Sequence, residues 1–263
     1  MLTEVKKEIR IMFKSVKYNI MREMANPLSF TLNVIFMMLN NSAFLIQWGV
    51  LFTLKDSFGV YGFKEICLIW GISAASYGIA HIFFNGAFRL SKMIEDGALD
   101  QYLVLPKDTL MSTITSSTAI SAIGDLLYGV IVAFLFYHSL KDIVLISIFI
   151  ILSAIIYTSF GIITQSLGFL MVKSSDFSES LRNMFITFSI YPESVFGSTL
   201  KLIFYTLVPV GFAIYIPVSV IFNFDIINLL IVFAFTIFIS LLSYYIFNKG
   251  LKKYTSSNLA VSR

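Results

Sequence analysis

Asp125 is the residue of this chain whose chemistry its surroundings make most costly. It lies near the middle of a long apolar run, where an ionised carboxylate costs at least ~2.5 kcal/mol in a bilayer. At helical spacing it shares a face with Thr118, Ser121 and Tyr128, and that face is expected to look inward. An acid so placed belongs to a translocation pathway, to a polar bond across a dimer, or to a protonated or hydroxyl-bonded structural role. His81 is the ionisable residue that depth allows near it; His138 is far from His81 in sequence and is expected at a different depth. Paired intramembrane carboxylates, metal-ligand spacing and a nucleophile elbow are not found. Their lack weighs against a membrane enzyme acting on lipids, which needs acids, histidines or a phosphate-binding set clustered at the interface. No Gly-x-x-x-x-Gly-Lys-[Ser/Thr] phosphate loop occurs either, so any ATP used must be hydrolysed by another polypeptide. Cys67 is the single cysteine, so no internal disulfide forms, and its ordinary reading is a small buried side chain.

The elements that must position Asp125 are apolar blocks at approximately 29–54, 66–88, 110–137, 143–170, 202–222 and 226–247, each near the ~20 residues a helix needs to cross a bilayer. Only 13% of the residues are charged, too few for the surface of a soluble domain of this length. The blocks lack the period-2 alternation of a membrane barrel, so helices must satisfy the backbone. The expected fold is an all-α integral membrane protein with six transmembrane helices. Lysines and arginines gather before the first block (Lys6, Lys7, Arg10, Lys14, Lys17, Arg22), in the even-numbered gaps (Arg89, Lys92, Lys107, Lys173, Arg182, Lys201) and in the tail (Lys249, Lys252, Lys253, Arg263). The other side receives Lys55, Lys64 and Lys141, each beside an acid. This bias places both termini in the cytoplasm. It also accounts for the net charge of +4 through topology and anionic lipid headgroups, with no call for nucleic acid. The AT-rich-genome flavour of the composition suggests a bacterial inner membrane.

Three segments outside the blocks carry their own signals. Residues 1–27 place Val5, Ile9, Met12, Phe13, Val16, Ile20 and Met24 on one helical face and lysines elsewhere, the pattern of a helix lying in the cytoplasmic leaflet or packing on the bundle; Asn26-Pro27 then turns the chain into the first span. The gap from Arg89 to Pro106 predicts a short charged helix with an apolar edge of Leu90, Met93 and Ile94, stopped by Gly97 in a left-handed cap. Its shape is that of a docking element or a solvated connector. Between Met171 and Lys201, the spacing of Phe177, Leu181, Met184, Phe185 and Phe188 predicts a second interfacial helix ending at Tyr191-Pro192. The alternative is that Met184 to Ile190 begins the fifth crossing and Pro192 breaks it. Pro209, Gly211 and Pro217 predict a kinked or partly re-entrant fifth run. Gly71 to Ala75 and Ala74 to Gly78 follow the spacing that lets helices approach closely, within one subunit or at a dimer contact. Asn40, Asn41, Gln47 and Gln165 are candidates to line a pathway or to bond neighbouring helices.

The run Gly97-Ala-Leu99-Asp100-Gln-Tyr-Leu103-Val-Leu-Pro106 resembles the Gly-x-Leu-Asp-x-x-Leu-x-x-Pro signature of the ABC-2 type permeases. The amino-terminal elbow, Tyr191-Pro192, Pro209, Pro217 and the tail from Gly250 to Ser256 resemble that family too. The resemblance implies the transmembrane subunit of an ATP-driven exporter, paired with a second permease copy or paralogue and with nucleotide-binding ATPase subunits that hold the ATP and Mg. It implies a coupling helix over residues 88–99, with Arg89, Lys92, Glu95 and Asp96 as polar contacts to the ATPase, Leu90, Met93 and Ile94 as an apolar wedge, and Asp100 bracing the loop. The chain itself would bind no cofactor. Asp125, Ser121 and Tyr128 are the expected pathway residues, and a drug, a peptide, or a lipid or glycan is the expected cargo. The competing class is a stand-alone immunity or channel-like protein.

Overall fold

The computed structural model describes residues 2–171 and 174–255, with side chains from residue 10 onward; Lys173, Ser256 and Arg263 lie outside the described residues, as do the side chains of Val5, Lys6, Lys7 and Ile9. Among the described residues the chain is helical, joined by turns and one isolated bridge between Phe58 and Tyr61. Helix α1 (Leu2–Glu23) ends before Asn26, whose side chain accepts a hydrogen bond from Ser29 N at 3.1 Å and so caps α2 (Pro27–Leu54). Then follow α3 (Phe63–Phe83), a 3₁₀ turn at Asn85–Arg89, and the short helices α4 (Leu90–Glu95), α5 (Asp100–Leu103) and α6 (Thr109–Ile114). Helices α7 (Ser121–Ala133), α8 (Leu140–Gln165) and α9 (Ser175–Ser189) come next. The chain closes with α10 (Ser198–Thr206), a π-helical turn (Gly211–Tyr215) leading into α11 (Ile216–Phe222), and α12 (Ile226–Leu251).

Four of these helices are long and apolar enough to cross a membrane: α2, α3, α8 with its extension to Phe169, and α12. A fifth is reached if α10 and Gly211–Phe222 count as one span, but that pair is bent by 85°. Helices α3 and α8 form the buried centre, while α2 and α12 present exposed apolar faces such as Phe36, Leu39 and Ile46, or Leu230, Phe238 and Leu241.

The third apolar run is not one helix. It breaks between Ile114 and Ser121, where the sequence is Thr115-Ser-Ser-Thr118. Hydroxyl side chains offer the backbone alternatives to helix, and here the neighbours take them up. Thr118 Oγ1 donates to Ile82 O at 2.9 Å, Ala119 N to His81 O at 3.0 Å, and Ser15 Oγ of α1 to Thr115 O at 2.9 Å. Asn85 Nδ2 reaches Ser117 Oγ at 3.1 Å.

A second correction concerns residues 171–201. At its start, α9 is held by Glu95, which accepts from Ser175 N at 3.0 Å. Beyond its other end, Ser194 Oγ donates to Phe58 O at 2.6 Å. Burial and the nearby Glu193 carboxylate raise the Tyr61 phenol to about 12. Helix α9 therefore links the end of the bundle that carries the Arg89–Pro106 loop to the opposite end, and is not confined to one surface. Pro192 follows its end, but the helix begins at Ser175 and not at Met184 as the alternative reading has it, and Lys201 lies in α10 beyond that far end. The bent pair then folds back beside the end of α9. Tyr215 Oη donates to Phe188 O at 2.7 Å, and Phe222 lies 6.4 Å from Tyr137.

Helices α3 and α7 share the most extensive helix–helix packing. A Cβ at Gly78 would stand 2.6 Å from Leu126 N, one at Gly71 would stand 2.5 Å from the Ala133 backbone, and one at Gly129 would overlap the Ala75 backbone. The small-residue stripe of α3 is thus used within the chain. Gly129→Val should lower the thermal unfolding midpoint in detergent, with an overpacking cost of about 1–3 kcal/mol or more. Gly49→Ala, where nothing lies within 4 Å of the added carbon, should leave the midpoint unchanged or slightly raised.

Candidate functional site

Two places gather the residues that the sequence singles out: the Arg89–Pro106 loop and a cavity beside Asp125. In the loop, α4 is bolted to the bundle at both ends. Gln165, the last residue of α8, accepts from Ser91 N at 3.0 Å, satisfying a first-turn amide of α4. Glu95 accepts from Ser175 N and Ser175 Oγ, each at 3.0 Å, which caps α9 with a carboxylate where the helix dipole favours negative charge. Leu90 and Ile94 are buried against the turn Ser166–Phe169, and Leu99 is fully buried. The expected apolar wedge therefore does not face outward: Leu90 and Ile94 join the core and Met93 is half-buried. Glu95, expected as a polar contact to a partner, is spent on α9. What this segment exposes is Arg89, Lys92, Asp96 and Gln101, followed by the apolar run Leu103, Val104, Leu105 and Pro106.

The left-handed conformation expected of Gly97 is present, with φ of +70°, which a side chain would strain. Asp100 accepts a hydrogen bond from Tyr254 Oη at 2.8 Å, bracing the loop against the tail. Partial burial, together with that bond and the carboxylate's charge, raises the Tyr254 phenol to about 12, so the donor stays protonated at any physiological pH. Tyr254 in turn meets Phe169 edge-on at 6.1 Å, and Phe169 meets Phe247 at 5.6 Å.

Asp125 occupies the second turn of α7, opposite Asn41 near the middle of α2. Asn41 Nδ2 donates to Asp125 Oδ1 at 2.7 Å. The other carboxylate oxygen, Oδ2, is buried with no hydrogen-bond partner. Asp125 lines a cavity of about 360 Å³ bounded by Asn40, Asn41 and Phe44 of α2, the middle of α3, Tyr157 of α8, and Phe185 to Ile190 of α9 and its end. Trp70 Nε1 and Tyr157 Oη, on the same cavity, are buried and unpartnered as well. Neither Ser121 nor Tyr128 lines this space; Tyr128 faces a separate groove beside Ser42 and Gly49. Of the three expected pathway residues, only Asp125 lines the cavity. His81 does not line it: its ring stacks 4.2 Å from Phe88 and lies 4.1 Å from Tyr77, and its Nδ1 is bonded to Asn85 at 2.9 Å.

Sequence reasoning missed the aromatic wall of Trp70, Tyr77 and Tyr157, because aromatics are spread through every apolar run and carry no spacing signal. It marked Asn41 and Asp125 separately, and only the fold pairs them. Glu95→Ala should lower stability by about 1 kcal/mol, the usual value of a helix cap. It should also speed amide hydrogen exchange in the first turn of α9, with α12 unchanged.

The comparisons with known proteins agree with the loop motif. The family model described as ABC-2 family transporter protein matches residues 36–258. No curated protein and no solved structure matches the chain.

Proposed function

Because the chain belongs to the ABC-2 family of transporter proteins, we propose that it is the permease subunit of an ATP-driven exporter, moving its cargo outward across a bacterial cytoplasmic membrane. In this reading the crossings are α2, α3, α6 with α7, α8, α9 and α12. What supports six is that α9 joins opposite ends of the bundle while α10 and α11 stay at one end as a re-entrant hairpin. Both termini are then cytoplasmic, with α1 as an elbow helix against the cytoplasmic leaflet and the Arg89–Pro106 loop on the same side. Partner ATPase subunits carry the ATP and Mg, and a second permease copy or paralogue completes the pathway.

The observation that carries the reading is the double anchoring of α4. A segment held by Gln165 at one end and holding α9 through Glu95 at the other cannot shift without moving α8 and α9. Both of those helices line the Asp125 cavity. ATP binding by the partners needs only to favour one packing of this unit over another. Arg89, Lys92 and Asp96 supply the polar contacts to the ATPase, and Leu103 to Pro106 replace the buried residues as its apolar contact.

The test is a mild-detergent pull-down of the tagged chain from its native membrane, with mass spectrometry and an ATPase assay. A phosphate-loop ATPase should co-purify. The double variant Lys92→Glu, Val104→Asp, both changes at exposed positions, should lose the ATPase while keeping its thermal unfolding midpoint. Recovery of the chain alone from wild-type membranes, with no ATPase activity, would sink the reading and favour a stand-alone membrane protein.

A further inference from the structure

The cavity beside Asp125 has a composition that selects a class of ligand. Its charge comes from one carboxylate, since none of the residues lining it is a lysine, arginine or histidine. Asn41 satisfies one oxygen of that carboxylate and leaves Oδ2 buried and unpaired, with Asp125 only 5% exposed. A buried acid with a free oxygen in a low-dielectric site is relieved either by a proton or by a cation. The walls favour the cation. Phe44 stacks on Trp70 at 5.4 Å, and Tyr77, Tyr157 and Phe185 form a second aromatic series, with centroids 5.6 Å apart from Tyr77 to Tyr157 and 4.9 Å from Tyr157 to Phe185. Aromatic faces attract desolvated cations, Trp most strongly. The volume of about 360 Å³ falls in the range of small-molecule sites and is too small for a folded peptide or a lipid-linked glycan. Trp70 and Tyr157 belong to this lining, and their Nε1 and Oη have no hydrogen-bond partner among the described residues.

We propose that this cavity binds an amphipathic organic cation: a drug-sized aromatic body bearing one positive charge, which pairs with Asp125 Oδ2 while the rings lie against Trp70, Tyr77 and Tyr157. Calling this ligand the cargo rests on the permease reading; its binding does not. Asn41 is a positioning residue, holding Oδ1 so that Oδ2 faces the ligand's charge. An anionic substrate would meet the carboxylate with no countercharge in the lining, and a neutral one would leave the buried charge uncompensated.

The experiment uses the full chain purified into lipid nanodiscs without any ATPase, so its outcome is independent of whether partners exist. Ethidium is the probe, followed by fluorescence anisotropy and by quenching of tryptophan fluorescence. The wild type should bind it saturably, and tetraphenylphosphonium should compete. Phenanthridine, the uncharged parent ring system at pH 7.5, should compete at least tenfold less well. Asp125→Asn keeps an oxygen that can accept from Asn41 and replaces the charged Oδ2 with an uncharged NH2 donor; it should weaken ethidium binding tenfold or more, and Asp125→Glu should restore part of it. Trp70→Phe should abolish most of the quenching, which places the probe in this cavity. No saturable binding, equal competition by phenanthridine, or unchanged affinity in Asp125→Asn would each overturn the proposal and leave Asp125 as a protonated structural acid. The phenanthridine arm needs no variant, so it decides the matter even if Asp125→Asn fails to fold.

Discussion

Every peptide group of a membrane-spanning chain must find its hydrogen-bond partner inside the protein, because hydrocarbon offers none. Long uninterrupted helices meet this demand by themselves, and α2, α3, α8 and α12 do so. The two interrupted runs cannot, and the rest of the architecture is arranged around supplying them. At Thr115–Ile120 the Thr115 carbonyl accepts from Ser15 of α1 and the Ala119 amide donates to His81 O at the end of α3, while the Thr118 hydroxyl satisfies the neighbouring carbonyl of Ile82. At the second interruption, Ser153 of α8 donates to Ala213 O, and Tyr215 Oη donates to the carbonyls of Phe188 in α9 and of Tyr191 just beyond it. The amino-terminal helix and the end of α3 thus sit where they do partly because a break in the third run needs them. In turn, the break allows α7 to lie so close to α3 that glycine is required at Gly71, Gly78 and Gly129.

That close approach has a consequence on the other side of α7. Pressed against α3 along one face, α7 presents Asp125 to α2, where Asn41 holds it. Helix α2 is otherwise the least embedded of the long helices, with exposed leucines and phenylalanines along much of its length. A single charge-assisted bond between a carboxylate and an amide in low dielectric is worth more than its surface equivalent. It fixes the depth at which α2 meets the bundle without fastening its whole length. The cavity lies at this level, bordered by a helix pinned at one polar point and by α9, which is pinned at its far end through Glu95.

How far the sequence discloses this arrangement depends on which solvent each residue answers to. Apolar length is read most directly where a helix stays whole: α2 and α12 nearly coincide with 29–54 and 226–247, whereas α3 and α8 end at Phe83 and Gln165, short of the expected 88 and 170, where the chain tightens into 3₁₀ turns. Apolar length is blind to a break whose polar groups are satisfied by distant residues. Thr115 to Thr118 sit inside an apolar average, and only their hydroxyl density marks them. Helix α9 misleads for the opposite reason. Its serines, Glu179 and Arg182 read as a surface face; Glu179 is indeed exposed beside Arg182, yet Ser178 is fully buried and donates to Thr164 O at 2.8 Å, and Ser189 is buried as well. Polar residues that bond within the protein look, in sequence, the same as polar residues that meet water.

The loop after α3 shows the same limit in reverse. Its motif is legible, and Gly97 and Asp100 act as local chemistry suggests, one as a left-handed turn and the other as a brace. Direction is what local chemistry leaves open. An amphipathic helix of six residues can turn its apolar edge toward its own chain or toward a partner. Leu90 and Ile94 turn inward because Gln165 and Ser175 engage α4 from the same side. Burying that edge makes α4 a rigid part of the α8–α9 junction. A flexible tether would dissipate a displacement applied at the loop. A buried, doubly bonded segment passes it on, because close-packed interiors switch between discrete packings and do not deform continuously. The element best placed to receive it is α9: its first turn is bonded to α4, and its last turn forms a wall of the cavity that holds Asp125.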